Sequence, residues 1–338
     1  MKQSQRPRRS PLLIPCVLLG LLLAAMLGGT IWYQRQLAQG DPGNVSSVSA
    51  PMTAPDLEAY LASGAGGDEP VQNALSEDVP DRIGGHGSRI VNILLVGQDR
   101  LEGEGRTRSD SMILCTFNKR TRELILTSFL RDLYVEIPRH GSDRVNAAYA
   151  YGGMELLEQT LEHNFAVQID GTVEVDFTRF SQIVDRLGGV DMELREDEAA
   201  LINEETGSAL SQGLQHLQGD QVLAYARIRK LDADGDFSRT SRQRKVMGAL
   251  LDTYREAKLP TVLLLANELL PMITTDLEAG EILGYALELF PMLAGSEIRQ
   301  QYIPAAGSFT NQNINGMAVL VPDLEASRQL LASTLLGS

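Results

Sequence analysis

Residues 12–32, LLIPCVLLGLLLAAMLGGTIW, make a run of 21 residues without a charge. At about 1.5 Å per residue a helix of that length spans roughly 30 Å, the thickness of a bilayer's hydrocarbon core, so the run predicts one membrane crossing. Lys2, Arg6, Arg8 and Arg9 precede it with no acid between them, which keeps the N-terminus in the cytoplasm and places everything after Gln34 on the outer side of the cell membrane. The alternative is a cleaved signal peptide, whose apolar region covers only about 7 to 15 residues. The run here is longer, and Trp32 and Tyr33 stand at its outer edge where an interfacial belt is needed. Pro15 directly before Cys16, with no apolar run ahead, speaks against a lipoprotein anchor. The expected plan is a basic tail over 1–11, a transmembrane helix over 12–33, an extracytoplasmic linker over 34–87 rich in Gly, Ser, Pro, Asp and Ala, and a folded domain over 88–338.

Charge narrows the partners. The chain carries a net −14, and beyond the basic tail 26 basic face 44 acidic residues, a net −18. That average field repels nucleic acids, so no nucleic-acid partner is expected, and any anion must meet a local basic patch. The two cysteines, Cys16 and Cys115, cannot make a disulfide scaffold or a four-ligand zinc site, and His86, His140, His163 and His216 form no HxxxH or HxH pair. Metal chemistry would therefore use oxygen ligands.

Short apolar, partly β-branched runs at 90–96, 112–117 and 124–129 predict strands inside a covered sheet, with a further strand at 190–194 and late strands at 298–303 and 317–321. Helical spacing predicts helices over 153–164, 177–187, 220–229, 241–257, 261–272, 279–293 and 323–336. The mixed order implies an α/β fold: a single three-layer domain with a mixed central β-sheet covered by helices on both faces, behind the N-terminal transmembrane helix.

Three clusters can carry chemistry. In VGQDRLEGEGRTRSDSM, residues 96–112, Asp99 and Asp110 flank one loop between neighbouring strand ends, where two carboxylates can share magnesium or remain solvated loop acids. In SFLRDLYVEIP, Arg131 and Asp132 follow an apolar strand and stand at its C-terminal mouth, where open α/β sheets place ligands. In YARIRKLDADGDFSRTSRQRK, Arg227, Arg229, Lys230, Arg239, Arg242, Arg244 and Lys245 meet only Asp232, Asp234 and Asp236. Converging guanidinium forks suit a diphosphate. Ser238 reads as an N-cap, which would put Arg239 and Arg242 on one face of a helix's first turn, against their helix preference; a solvated basic face is the plainer alternative. DADGD resembles the start of a calcium loop but no glutamate stands at its twelfth position. No GxSxG, HExxH, CxxC or GxxxxGK[ST] occurs. Cys115, inside a strand run, reads as a small core residue.

The ordered series NILLVGQDR, RTRSDSM, TSFLRDLYVEIP, RVNAAYAYGG, VEVDFTRFSQIVDRLGGVDMEL, LAYARIR and GDFSRTSRQR, behind one membrane run, resembles the LytR-CpsA-Psr family of bacterial cell-wall phosphotransferases over residues 88–338. The resemblance implies transfer of a phosphate-linked glycopolymer, such as teichoic acid or capsule, from a polyprenyl-pyrophosphate carrier to peptidoglycan. It implies magnesium on Asp99 and Asp110, and a pyrophosphate clamp of Arg108, Arg131, Arg227, Arg229, Arg239 and Arg242. Asp132 would orient an arginine, with Asn146 and Gln243 in support. Leu130 departs from the family's usual proline before Arg-Asp, which bears on loop geometry. Hydrolysis of the pyrophosphate, or a non-catalytic lipid-binding or regulatory role, are the competing functions. The carrier's tail requires an apolar tunnel, which runs such as 262–265 and 282–290 could line, although core packing also explains them.

Overall fold

The computed structural model describes residues 82–84, 89–98, 107–232, 235–253, 269–278 and 297–336, with single positions between 280 and 289. The run at 12–32, Asp99 and residues 261–268 of the helix expected over 261–272 lie outside the described residues. Among the described residues no helix is long and apolar enough to cross a membrane.

Six strands make the main sheet: β1 (Ile90–Gln98), β2 (Ser109–Asn118), β3 (Glu123–Phe129), β6 (Gly171–Asp176), β9 (Thr274–Thr275) and β10 (Glu297–Ile303), in the order β10-β3-β2-β1-β6-β9. β1 pairs antiparallel with β2 and parallel with β6, and β3 pairs parallel with β10, so the sheet is mixed. The expected α/β character with a mixed central sheet is what the structure has. Small hairpins flank it: β4 (Tyr134–Ile137) with β5 (Gly141–Arg144), β7 (Val190–Leu194) with β8 (Gly213–Leu217), and β11 (Phe309–Ile314) with β12 (Met317–Pro322).

Alternation along β1, β2 and β3 sends successive side chains to opposite faces. Ile93, Cys115 and Leu126 pack against α2 (Phe177–Arg186), α3 (Glu196–Thr206), α4 (Gly219–Arg227) and α5 (Asp236–Thr253), through Ile183, Ile202, Tyr225 and Val246. Leu94, Leu114 and Ile125 pack against α1 (Val145–Phe165) and α6 (Leu324–Leu335), through Leu157, Phe165 and Leu331. Both faces being covered explains why these strands read as continuous apolar runs. Cys115 is fully buried, and burial drives its thiol pKa far up, as a core residue rather than a nucleophile.

Three boundaries differ from expectation. α1 begins at Val145 rather than 153, with a kink at Gly153 (φ 72°) that a residue with a Cβ would resist; its first turns are buried alanines without a helical stripe. α5 begins at Asp236, so Ser238 lies inside the helix and is not its cap. Ile83, inside the expected linker, is buried and bridges to Val167, with its N–H on the Ala166 carbonyl at 2.9 Å, so packing starts ahead of residue 88.

Glu158 on α1 faces Asp276, which accepts the Thr172 N–H at 2.7 Å. Burial, then the Asp276 charge, pushes the Glu158 carboxyl from 4.5 up to about 8. Folding therefore takes up a proton between these values, and stability falls as pH rises through that window. Thermal denaturation at pH 5 and pH 8.5 should show a lower Tm at the higher pH, and Glu158→Gln should remove much of this difference by stabilising the protein at pH 8.5.

Candidate functional site

The C-terminal end of β1, the start of β2 and the turn after β3 lie at one end of the sheet, because Gln98 pairs with Ser109 and β2 runs antiparallel to both neighbours. β2 presents Asp110 there, and the turn after β3 presents Arg131 and Asp132. The turn is held by the Leu130 N–H on the Ile303 carbonyl (3.0 Å) and the Leu133 N–H on the Leu130 carbonyl (3.1 Å). A proline at 130 could not make the first of these bonds, so leucine ties this turn to β10 where proline would only stiffen it.

Arg131 is the hub. Its Nη1 donates to Asp110 Oδ1 at 2.8 Å and its Nε to Asp236 Oδ2 at 3.1 Å, with Asp132 at 3.8 Å. Burial works against its charge, but the carboxylates of Asp236, Asp110 and Asp132 outweigh it and raise its pKa. Asp110 in turn meets Arg239 Nη1 at 3.6 Å and Arg229 Nη2 at 3.8 Å. Asp132 lies 3.3 Å from Arg144 Nε, which anchors it between two arginines.

Arg239 comes from the first turn of α5, where Asp236 holds it at 3.1 Å. It is 2% exposed, and its Nε has no hydrogen-bond acceptor. Its pKa is lowered, by burial first, with repulsion from Arg131 and Arg229 adding to it. A desolvated cation repelled by two like charges is a group arranged to receive an anion.

The sequence-predicted residues divide in space. Asp110, Arg131, Asp132, Arg229 and Arg239 share this cluster. Asn146 lies beside it, its N–H 3.4 Å from the Arg131 carbonyl and its Oδ1 buried without a hydrogen-bond partner. Arg227 lies over the Phe177 ring at 5.5 Å and, with Gln243, lines an adjoining apolar pocket. Arg108 is exposed, outside the ion pairs of Asp110. Arg242, three residues on from Arg239, turns its guanidinium to other carboxylates and is buried against Glu198 (2.9 Å) and Asp232, outside the Asp110 cluster. Two residues without an assigned role enter the site, Asp236 and Arg144; the three-residue spacing of Asp236 and Arg239 on a helix carried the signal for the first.

The pocket lies between the sheet and α2, α4 and α5, walled by Leu95, Val173, Val175, Phe180, Leu223 and Met247 and holding about 740 Å³ including the space at its mouth. Gly97 and Ser111, next to Asp110 in the sheet, also line it. Apolar walls thus continue into guanidiniums. The region expected at 262–265 to line a tunnel lies outside the described residues.

Magnesium requires hard oxygen donors. Among the described residues no three acids, histidines or cysteines form a metal cage. Asp110 nevertheless offers a carboxylate at a strand end where Gln98 Oε1 and Ser109 Oγ are buried without hydrogen-bond partners. Asp110 thus supplies one carboxylate, which Arg131 engages in this structure, and its second expected acid, Asp99, lies outside the described residues.

A family model described as the LytR_cpsA_psr family matches residues 64–334. A polyisoprenyl-teichoic acid–peptidoglycan teichoic acid transferase TagU of Bacillus mycoides is 41% identical over 165 residues, 48% of this chain and 52% of that protein. The chain thus spans about half the length of this relative. The regulatory protein MsrR of Staphylococcus aureus is 32% identical over 67% of this chain and 68% of its own length. Among solved structures, TagT (YwtF) of Bacillus subtilis with bound octaprenyl pyrophosphate lipid superposes with a TM-score of 0.58 at 26% identity, over 80% of this chain and all of that one.

Proposed function

Because the chain belongs to the LytR-CpsA-Psr family, we propose that it transfers a phosphate-linked glycopolymer from a polyprenyl-pyrophosphate carrier to peptidoglycan. The observation that carries this reading is the junction of two chemistries: an apolar pocket whose polar end, at Arg227 and Gln243, adjoins the guanidiniums of Arg131, Arg229 and Arg239 around Asp110. An apolar tail with a diphosphate head has that same division. The names of TagU and of the lipid-bound TagT structure support it.

The tail occupies the pocket and the diphosphate displaces the weaker pairings on Asp110, so that Arg131, Arg229 and Arg239 share the anion with Arg227 at the pocket rim. Arg108, exposed just before Asp110 in the chain, closes over the outer oxygens. Phosphoryl transfer needs positioning and neutralisation more than a protein nucleophile, which suits a site without a Ser-His dyad. An acceptor hydroxyl attacks the sugar-side phosphorus and polyprenyl phosphate departs. Asp132 and Asp236 hold Arg131, and Asp236 also holds Arg239, in forked geometry. Asp110 and Asp99 would hold magnesium, which when bound neutralises phosphate charge. The run at 12–32 anchors the chain in the cell membrane with this domain outside.

The test is incubation of the chain with a synthetic polyprenyl-diphosphate glycan, peptidoglycan fragments and magnesium. Mass spectrometry should detect a phosphodiester-linked conjugate; bound lipid without conjugate overturns the transferase reading. That result would favour the second reading, a lipid-binding regulator, for which the likeness to MsrR speaks. Leu223→Trp, which fills the pocket, should weaken octaprenyl diphosphate binding at least tenfold by titration calorimetry.

A further inference from the structure

α5 carries a third arginine that neither the clamp nor the core network uses. On a helix Phe237, Ser241 and Arg244 share a face, turned about a quarter circle or more from the Asp236, Arg239 and Gln243 face. That second face opens on a separate hollow lined by Phe237, Ser238, Ser241, Arg244, Tyr302, Ala306, Gly307 and Phe309, about 860 Å³ including its mouth. Without the open mouth it offers about 500 Å³, within the range of small-ligand sites, roughly 300 to 1,000 Å³.

Arg244 is 5% exposed, and its Nε and Nη1 are buried with no hydrogen-bond partner. Among the described residues no carboxylate pairs with it; its guanidinium lies over the Tyr302 ring at 5.7 Å. Burial lowers its pKa to about 10, the cost of a cation without an anion. Around it Phe237 meets Tyr302 edge-on (5.4 Å, 79°) and stacks on Phe309 (5.6 Å, 30°). All three rings are half-buried, so apolar faces remain open to a ligand. A lone desolvated fork matches a monoanion, flat aromatic faces suit the C–H side of a sugar ring, and the serine hydroxyls can meet its hydroxyls.

We propose that this hollow is a subsite for a carboxylate-bearing sugar unit of the acceptor glycan, with Arg244 on the carboxylate and Tyr302 and Phe309 beneath the ring. It rests on the transferase reading. In-line displacement sets attacking and leaving oxygens on opposite sides of the phosphorus. The lipid leaves toward the pocket at Gln243, so the acceptor must enter from another side of the first turn of α5. Asp236 touches the clamp while Phe237, the next residue, walls the hollow, which places an acceptor beside the phosphorus.

Titration calorimetry on the full chain in detergent micelles tests this with three probes: N-acetylglucosaminyl-N-acetylmuramic acid, its methyl ester, and a glycerol phosphodiester oligomer. The acid should bind at least tenfold more tightly than the other two. Arg244→Gln, and Phe309→Ala in case the first variant fails to fold, should each lose at least tenfold of that affinity while binding octaprenyl diphosphate as before. Equal binding of acid and ester, or a folded variant that retains the acid's affinity, overturns the proposal; so does tighter binding of the phosphodiester oligomer, which would give the hollow to the donor chain. Failure of the unaltered chain to bind octaprenyl diphosphate would instead sink the transferase reading, while the acid titration still decides the subsite.

Discussion

Arg131→Ala is expected to slow glycopolymer transfer by roughly 30- to 1000-fold, equivalent to about 2 to 4 kcal/mol of transition-state stabilisation. Arg131 is the donor that Asp110, Asp132 and Asp236 all engage, so its loss removes a charge from the diphosphate and also leaves three carboxylates facing one another. Their mutual repulsion then works against an incoming anion, and lipid binding should fall along with the rate. Arg131→Lys keeps the charge but cannot span Asp110 and Asp236 with two nitrogens, so it should recover only a minor part of the rate. Initial rates of conjugate formation by mass spectrometry, with lipid affinity measured in parallel, check both. A rate within threefold of the unaltered protein for Arg131→Ala would remove this residue from the clamp.

Arg242→Met should behave differently. Glu198 is nearly fully buried and its carboxylate accepts from Arg242 Nε at 2.9 Å, while Asp232 takes the other side of the guanidinium. Removing the arginine leaves the buried Glu198 carboxylate only Arg195 Nε, 3.8 Å away, as a counter-charge, which costs up to about 3 to 5 kcal/mol. For a domain of this size that lowers Tm on the order of 10 °C. The double variant Arg242→Met with Glu198→Gln should regain most of the loss, because no uncompensated charge remains. Transfer rate per folded molecule should stay close to that of the unaltered chain. Melting curves and rates together decide it: a stable single variant with a collapsed rate would return Arg242 to the phosphate clamp.

The strands of the sheet were legible because both faces are covered, so 90–96, 112–117 and 124–129 read as unbroken apolar runs. β6 was not, since GTVEVD has acids in its outer half and pairs on one side only with the two-residue β9. α3 also escaped, because EDEAALINEET buries only Glu198, Ala199 and Ile202 and shows water the rest. In the site, the Arg131-Asp132 pair could be placed from its position at a strand mouth. The separation of Arg239 from Arg242 could not. Spacing on one helix predicts a shared face, but the direction each guanidinium takes depends on which carboxylates arrive: Asp110 from β2 for one, Glu198 from α3 for the other.

The bridge from Ile83 to Val167 has a geometric corollary. Val167 precedes β6, whose parallel pairing with β1 puts it at the pole of the sheet opposite Asp110. The nine residues of β1, at about 3.3 Å each, separate the two poles by roughly 30 Å. A domain hung from the bilayer by that entry point would hold its reaction centre turned toward the wall. If the run at 12–32 holds the chain in the membrane, loading a lipid still seated in the leaflet requires the domain to turn over, and the contour length of 34–82, on the order of 150 Å, is long enough to permit it. Shortening this leash should therefore starve the enzyme of donor before it hinders access to the acceptor.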